Sequence, residues 1–504
     1  MKLSIRQTAF GCYFFALILF CLIYQNTMSG STANQEENGQ KEQSETVQPS
    51  EQTIVGKIED YTITRQELEK RLLSELQPDP YKIYTAQTKP GDANSILLQM
   101  LGEKALIIDA RKQGILEEEA IRQTIKNYRQ QQLISLWARN NATKAQDKIA
   151  ASEDEIDKQI KSDPKMNRER AKSVVESAKA NKINDQFYED LYKKSEVKKV
   201  TENFSKAIEI HNRLLNYPKT TENSILKYIR NYQVRDELTD QEKNIVLATF
   251  SRGNVTLKDW FETLCDYSPR NRPDNLNTEK GIDQLLEQAL FKPLIVAEAQ
   301  AMGLDKDPVF LRQMRDMEDE TLLNAVRSKK YEELNIKEPN KEEIAAFYDK
   351  NKEYFVNRML KIDQIWCKDQ ETAKRVKAEI NSGKDFNEAK KEYSLFPDGQ
   401  AYQAYPGTEG YFWNDLWAGE PNYVTGPVKG FHSGSVKWRI VKILEKQKGE
   451  QKEFSPEIEN NIISFMMSEK AYNIMIDYCL SILKKYHYEI YFDKIKDINP
   501  MNIK

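Results

Sequence analysis

The sequence is poor in the residues that build metal and redox centres. Only three histidines occur, His211, His432 and His487, and none lies at ligand spacing from another histidine or a cysteine, which argues against a metalloenzyme. Of five cysteines, Cys12 and Cys21 fall in an apolar N-terminal run, while Cys265, Cys367 and Cys479 are far apart. No disulfide or zinc framework is expected, and the last three read as buried thiols. No nucleotide-binding motif is found, so ATP has no evident cradle. A basic excess is missing too: the formal net charge is −3, which gives nucleic acid no electrostatic footing. Neither a metal nor a cofactor is implied.

Long hydrophobic runs are also scarce, with one exception. Lys2 and Arg6 precede an uncharged stretch from Ala9 to Tyr24, rich in Phe, Leu and Ile, and the next basic residue is Lys41. A positive flank ahead of an apolar run keeps that end cytoplasmic and sends the rest across the membrane. A span needs about 20 apolar residues, and this run barely reaches that length, so residues 1–25 are either a retained anchor or a cleaved signal. Residues 26–53 are Ser, Thr, Asn, Gln and Glu with few large apolar side chains, a composition that reads as a disordered tether. The remainder is expected in the periplasm or on the extracytoplasmic face of the inner membrane.

At 504 residues the chain exceeds one core, and at roughly 150 residues per domain about three are expected. Self-similarity organises them. Ile54 to Ile58, then Glu59 and Asp60, then Tyr61 to Ile63 read as a hairpin leading into Thr64-Arg65-Gln66-Glu67, a capping box that starts a helix. Val246 to Phe250, a turn over Arg252 and Gly253, and Val255 lead into Thr256-Leu257-Lys258-Asp259, 192 residues later. An amphipathic helix carrying Leu97, Leu101, Ala105 and Ile108 ends at Gly114; its counterpart carries Leu286, Leu290, Leu294 and Ala297 and ends at Gly303, 189 residues on. Leu133-Ile134 matches Leu322-Leu323, and 152–160 matches 340–348. Any two amphipathic helices share an apolar period, but here hairpin, cap, helix and glycine stop recur in one order. The copies then diverge, because an ending like Leu191 to Val200 returns in the second only at Leu480 to Ile490, after about 100 additional residues.

Within that extra stretch the pattern becomes a strand (Leu360 to Trp366), two helices (Glu371 to Asn381 and Phe386 to Tyr393), a Gly- and aromatic-rich loop, and a strand (Trp438 to Leu444), which predicts a compact α+β domain. Leu360-Lys361-Ile362-Asp363-Gln364-Ile365, Ser382 to Phe386 followed by Lys391 to Ser394, Gly407 to Phe412, Thr425 to Val428 and Arg439 to Leu444 together resemble a PpiC-type parvulin. The flanking hairpin-plus-helices units are similar to the chaperone domain of SurA-, PpiD- and PrsA-like periplasmic foldases. The resemblance covers most of 54–493. It implies a mostly α fold with an α+β part. Two SurA-N-like helical chaperone units are expected, at 54–200 and at 245–357 plus 450–493, joined by a helical connector at 201–244. The second carries a parvulin-like domain inserted at 358–448, and its C-terminal helix is expected to return to its own unit.

Parvulins catalyse rotation about X-Pro bonds, and the resemblance carries the family's two histidines and its Asp or Cys onto Gln364, Arg439 and Phe396. All three depart from the pattern, which implies a degenerate isomerase site; Asp398 replaces Phe396 if the loop slips by two residues. The stretch from Phe412 to Thr425 is shorter than in the family. Phe412, Trp413, Trp417 and Tyr423 are the candidate substrate-binding residues, as an aromatic shelf for apolar client segments, with core filling as the alternative. The expected function is ATP-independent holding of unfolded or partly folded exported proteins, with the inner membrane as a further partner if the N-terminal segment is retained. The alternatives are an active prolyl isomerase with an altered site, and a membrane-tethered scaffold for one envelope complex.

Overall fold

The computed structural model describes residues 53–80, 82–84, 88–164, 166–216, 228–273 and 275–503. The anchor or signal and all of the tether before residue 53 lie outside them. Among the described residues no helix is long and apolar enough to cross a membrane. Two compact units are formed: unit A from 53–121 together with 319–503, and unit B from 122–318.

The first repeat opens with β1 (Ile54–Ile58) and β2 (Tyr61–Thr64), turned at Glu59 with φ 47°. Val55, Ile58 and Ile63 are buried. Thr64 caps α1 (Arg65–Leu76): its hydroxyl accepts from the Glu67 amide at 3.2 Å, and the Glu67 carboxylate accepts from the Thr64 amide at 2.7 Å. Then come α2 (Ala93–Lys112), α3 (Glu119–Lys144), α4 (Glu153–Ser162), α5 (Arg168–Lys194) and the short β3 (Lys198–Lys199). After α6 (Phe204–Leu215) the second repeat runs β4 (Val246–Phe250), β5 (Gly253–Thr256), α7 (Leu257–Asp266), α8 (Glu279–Ala301), α9 (Pro308–Glu333) and α10 (Lys341–Lys350). The Thr256–Asp259 box repeats the first cap. Gly114 and Gly303 both sit at φ 74°, a left-handed stop that glycine reaches without a β-carbon penalty. The duplication is thus present in backbone geometry as well as in sequence.

The inserted domain comprises β6 (Met359–Cys367), α11 (Gln370–Asn381), α12 (Phe386–Tyr393), β7 (Tyr402–Ala404), α13 (Trp413–Trp417), β8 (Val424–His432) and β9 (Ser435–Gln447), with sheet order β7-β6-β9-β8 and every pairing antiparallel. One sheet face buries Leu360, Ile362, Val441 and Ile443 against Trp413 and Leu416; the other buries Ile365 and Ile440 against Val376, Phe386 and Ala389. Period-two alternation on β6 and β9 produces this split. The chain ends with α14 (Pro456–Leu483) and β10 (Tyr488–Ile490).

The closing segments correct the expected domain boundaries. β10 pairs with β1 of the first repeat, Lys57 opposite Glu489 and Gly56 opposite Ile490. β3 pairs with β4 of the second repeat, Thr249 opposite Lys198 and Ala248 opposite Lys199. These two pairs of one ladder have their repeat counterparts at the same place in the other. The helices follow the strands. Leu97 and Leu101 of α2 share a core with Met475, Cys479 and Ile482 of α14, and Leu286, Leu290 and Leu294 of α8 share one with Leu133, Trp137 and Leu191. Each unit therefore joins the hairpin half of one repeat to the closing arm of the other, and 450–493 does not complete the second hairpin. The expected connector is corrected as well: Phe204, Ala207, Ile210, Leu214 and Leu238 belong to the core of unit B.

The two arms are fitted to their hairpins by size. At Gly102 of α2 a β-carbon would stand 3.1 Å from Cys479 Cβ, so α14 approaches closely. The counterpart positions in unit B are Phe291 and Tyr188, with ring centroids 4.9 Å apart.

Candidate functional site

β6 and β9 place the carried-over isomerase positions on one sheet face. Trp366 stands opposite Arg439 and Gln364 opposite Val441, so Gln364 and Arg439 are diagonal neighbours. Arg439 Nη1 donates to Gln364 Oε1 at 2.8 Å, Nη2 donates to Glu409 Oε2 at 2.6 Å, and Nε donates to the Lys429 carbonyl at 3.3 Å. Tyr402 Oη donates to the other Glu409 oxygen at 2.6 Å. Arg439 is 1% exposed and Glu409 4%. The guanidinium can lie this close to β8 because residue 430 is glycine; a β-carbon there would come 2.5 Å from Arg439 Nε.

The third position joins indirectly. Arg439 lies 5.0 Å from the Trp366 ring centroid, Trp366 stacks on His432 at 5.0 Å, and His432 meets Phe396 at 4.3 Å. Phe396 is thus two rings away from the guanidinium. Its loop is held by Ser394, whose hydroxyl accepts from the amides of Trp366 and Phe396 at 3.3 and 3.2 Å. Asp398, the other reading of that position, is exposed.

Glu409, Tyr402, Trp366 and His432 are site neighbours that the sequence reading assigned no role. A signal existed for Glu409: it is the one acid in the motif Gly407 to Phe412, and Arg439 is followed by the apolar Ile440 and Val441. A buried pair of opposite sign is the economical way to accommodate both. Beside Glu409, which disfavours a phenolate, and under strong desolvation, the Tyr402 hydroxyl has its pKa pushed well up, desolvation being the larger cause.

Burial, then the positive charges of Lys437 and Arg439, hold the His432 pKa below its ordinary 6.5. In the unfolded chain His432 takes its proton first as pH falls, so its contribution to stability is full above about 6.5 and is lost toward the lower folded pKa. His432→Phe is expected to flatten the loss of stability between neutral and mildly acid pH, measured by denaturant midpoints at several pH values. His211, also depressed chiefly by burial, is present in both proteins and cancels in the comparison.

The aromatic shelf needs correction. Phe412 and Trp413 are 0% and 1% exposed, with Trp413 packed into the sheet core; both fill space that the expected surface role would have left open. Trp417 is half-buried, stacks on Trp413 at 5.3 Å and has Lys446 Nζ 4.8 Å from its ring centroid. Tyr423, 56% exposed, keeps an open face. Unit A has a different surface with aromatic lining. A cleft of about 2040 Å³ runs between Tyr405–Gly407 of the inserted domain, Phe347 and Tyr354 near α10, and one face of α14. That face presents Ile458, Ile462, Phe465, Glu469 and Tyr472, alternating steps of four and three that keep them on one stripe of the helix.

Residues 339–459 match the PPIC-type PPIASE domain family. A Helicobacter pylori strain J99 protein provisionally named peptidyl-prolyl cis-trans isomerase is 31% identical over 146 residues, covering 29% of this chain and 48% of that protein. The Campylobacter jejuni strain 81-176 protein Cbf2, named in the same provisional way, is 28% identical over 120 residues, covering 22% and 43%. The chain spans about half the length of the curated relatives it matches. A solved chain from a description of two SurA-like chaperones of Campylobacter jejuni aligns over 54% of this chain and 100% of its own length, at 18% identity and a TM-score of 0.22. Taken with the four-stranded antiparallel sheet and its two covering helices, the match assigns residues 339–459 to the PPIC-type peptidyl-prolyl cis-trans isomerase, or parvulin, family.

Proposed function

We propose that the chain is an ATP-independent chaperone of the bacterial envelope whose parvulin domain serves as structure more than as catalyst. The observation that carries the reading is the cleft of unit A. It combines aromatic rings (Phe347, Tyr354, Phe465, Tyr472) with amides and hydroxyls (Asn461, Ser468, Asn473), a mixture suited to extended polypeptide, which offers apolar side chains and unpaired backbone groups together. Its clients are unfolded or partly folded exported proteins. The N-terminal apolar run supports delivery to the periplasm or retention at the outer face of the inner membrane.

Against efficient isomerisation stands the chemistry of the buried positions. Lowering a barrier of about 18–20 kcal/mol for amide rotation requires polar groups that reach the twisting bond. Arg439, sealed at 1% exposure and committed to Glu409 and Gln364, has no donor open to a substrate. The family match favours the second reading, an isomerase that uses other groups, and one pair of assays separates them. With the full chain, aggregation of a denatured client is expected to be suppressed at near-stoichiometric ratio, and Tyr472→Asp to weaken this several-fold by replacing an aromatic ring of the cleft with a second charge beside Glu469. A protease-coupled proline-peptide assay is expected to show no acceleration. Acceleration that persists in Tyr472→Asp would establish the isomerase reading instead.

A further inference from the structure

Between α1 and α2 the chain runs Gln77-Pro78-Asp79-Pro80 and on to Tyr84, and Pro78, Pro80, Lys82 and Tyr84 of this run are seated on the inserted domain. Pro78 lies against Gly410 and Pro80 against Gly407: a β-carbon at 410 would come 3.3 Å from Pro78 Cα, and one at 407 would come 3.0 Å from Pro80 Cα. Lys82 Nζ donates to Tyr411 Oη at 2.6 Å and lies 4.9 Å from that ring's centroid. Tyr84, 3% exposed, meets the same ring edge-on at 5.2 Å. Its own hydroxyl accepts from the Asp79 amide at 3.0 Å, folding the segment back on itself.

These contacts have the character of a built recognition surface. Prolines hold their backbone near one φ value and lose little freedom on docking. Glycines at 407 and 410 let the rings reach the opposing main chain, and Tyr411 supplies a face and a hydroxyl for one cation and one aromatic ring. The two glycines flank Glu409, whose carboxylate is turned to Arg439, so the segment abuts the loop carrying the buried pair and not the pair itself. Pro80, Lys82 and Ile83 on one side and Tyr405 and Gly407 on the other all line the cleft of unit A, so this contact forms part of its wall.

We infer that Gly407–Tyr411 is a binding surface for a proline-bearing segment and that Pro78, Pro80, Lys82 and Tyr84 occupy it in cis, as a latch fastening the parvulin domain to the first hairpin and closing one wall of the cleft. The inference is independent of whether clients enter that cleft. Hydrogen exchange of the full chain tests it. In Lys82→Ala/Tyr84→Ala, amides at both 77–84 and 405–412 are expected to exchange about tenfold faster or more, because both partners lose protection when the latch opens. Those of β1 and β9 are expected to keep their rates. Acceleration confined to 77–84 would overturn the proposal, since the loop would then be fraying with no receptor. Gly407→Ala approaches from the other side, touching neither Lys82 nor Tyr84, and must release 77–84 in turn. If 77–84 does not respond to it, the latch does not exist.

Discussion

Glu409→Ala is expected to destabilise the parvulin domain by about 3–5 kcal/mol, the usual cost of leaving one member of a buried ion pair without its partner. The Arg439 guanidinium would keep Gln364 and the Lys429 carbonyl but lose the carboxylate paired with it, and at 1% exposure it cannot recover that loss from water. The measurement is direct, because Trp366, Trp413, Trp417 and Trp438, four of the six tryptophans, lie in this domain and report its denaturant unfolding by fluorescence. Removing both charges is a different experiment. Arg439→Met combined with Glu409→Leu takes away the desolvation cost together with the attraction, and such replacements are often neutral or stabilising. Recovery of most of the lost stability in the double variant would identify the pair as a structural fastening. A double variant as unstable as Glu409→Ala would mean that the surrounding groups, Tyr402 and Gln364 among them, depend on the charges for their own hydrogen bonds.

Cutting the chain between its repeats is expected to leave it in one piece. A protease site introduced within 217–227 separates the first hairpin and its arm from the second hairpin and its arm, yet each core draws on both fragments: α2 with α14 in one, α8 with α3 and α5 in the other. After cleavage of the folded protein the fragments should co-migrate as a 1:1 species in size exclusion and separate only in denaturant. Repeats that each closed on themselves would give fragments that part on cleavage. A cysteine pair makes the result unambiguous. Lys57→Cys with Glu489→Cys, directly opposite in the β1–β10 ladder, should join the two fragments by a disulfide. Lys57→Cys with Lys198→Cys should not form one. The opposite outcome would place each arm on its own hairpin.

Much of this protein is legible in its sequence. The two hairpins, the Thr64 and Thr256 caps, the stops at Gly114 and Gly303, the repeat relation and the β6, α11, α12 and β9 elements of the parvulin domain are all local. Each follows from periodicities, caps and turn residues that act within a few positions of the chain. The expected export role of residues 1–25 is read from sequence alone, and those residues lie outside the described ones.

Three features belong to tertiary structure. The exchange of closing arms was invisible because the repeats present equivalent apolar faces: the stripe of α14 shows that it must be covered, and nothing local says whether α2 or α8 covers it. Helix spacing differs between the two pairings, close at Gly102 and Cys479 and filled by two rings at Phe291 and Tyr188. The burial of Phe412 and Trp413 was likewise undetermined, since an aromatic residue beside glycine serves a core or a surface equally well until the opposing sheet is in place. The carried-over positions show the same division most sharply. From the sequence Gln364, Phe396 and Arg439 were three departures from a family pattern. Only the folded sheet brings Glu409 from a separate loop to Arg439, because a charge pair is set by distance in space, and that distance is created by strand pairing and burial that no single segment contains.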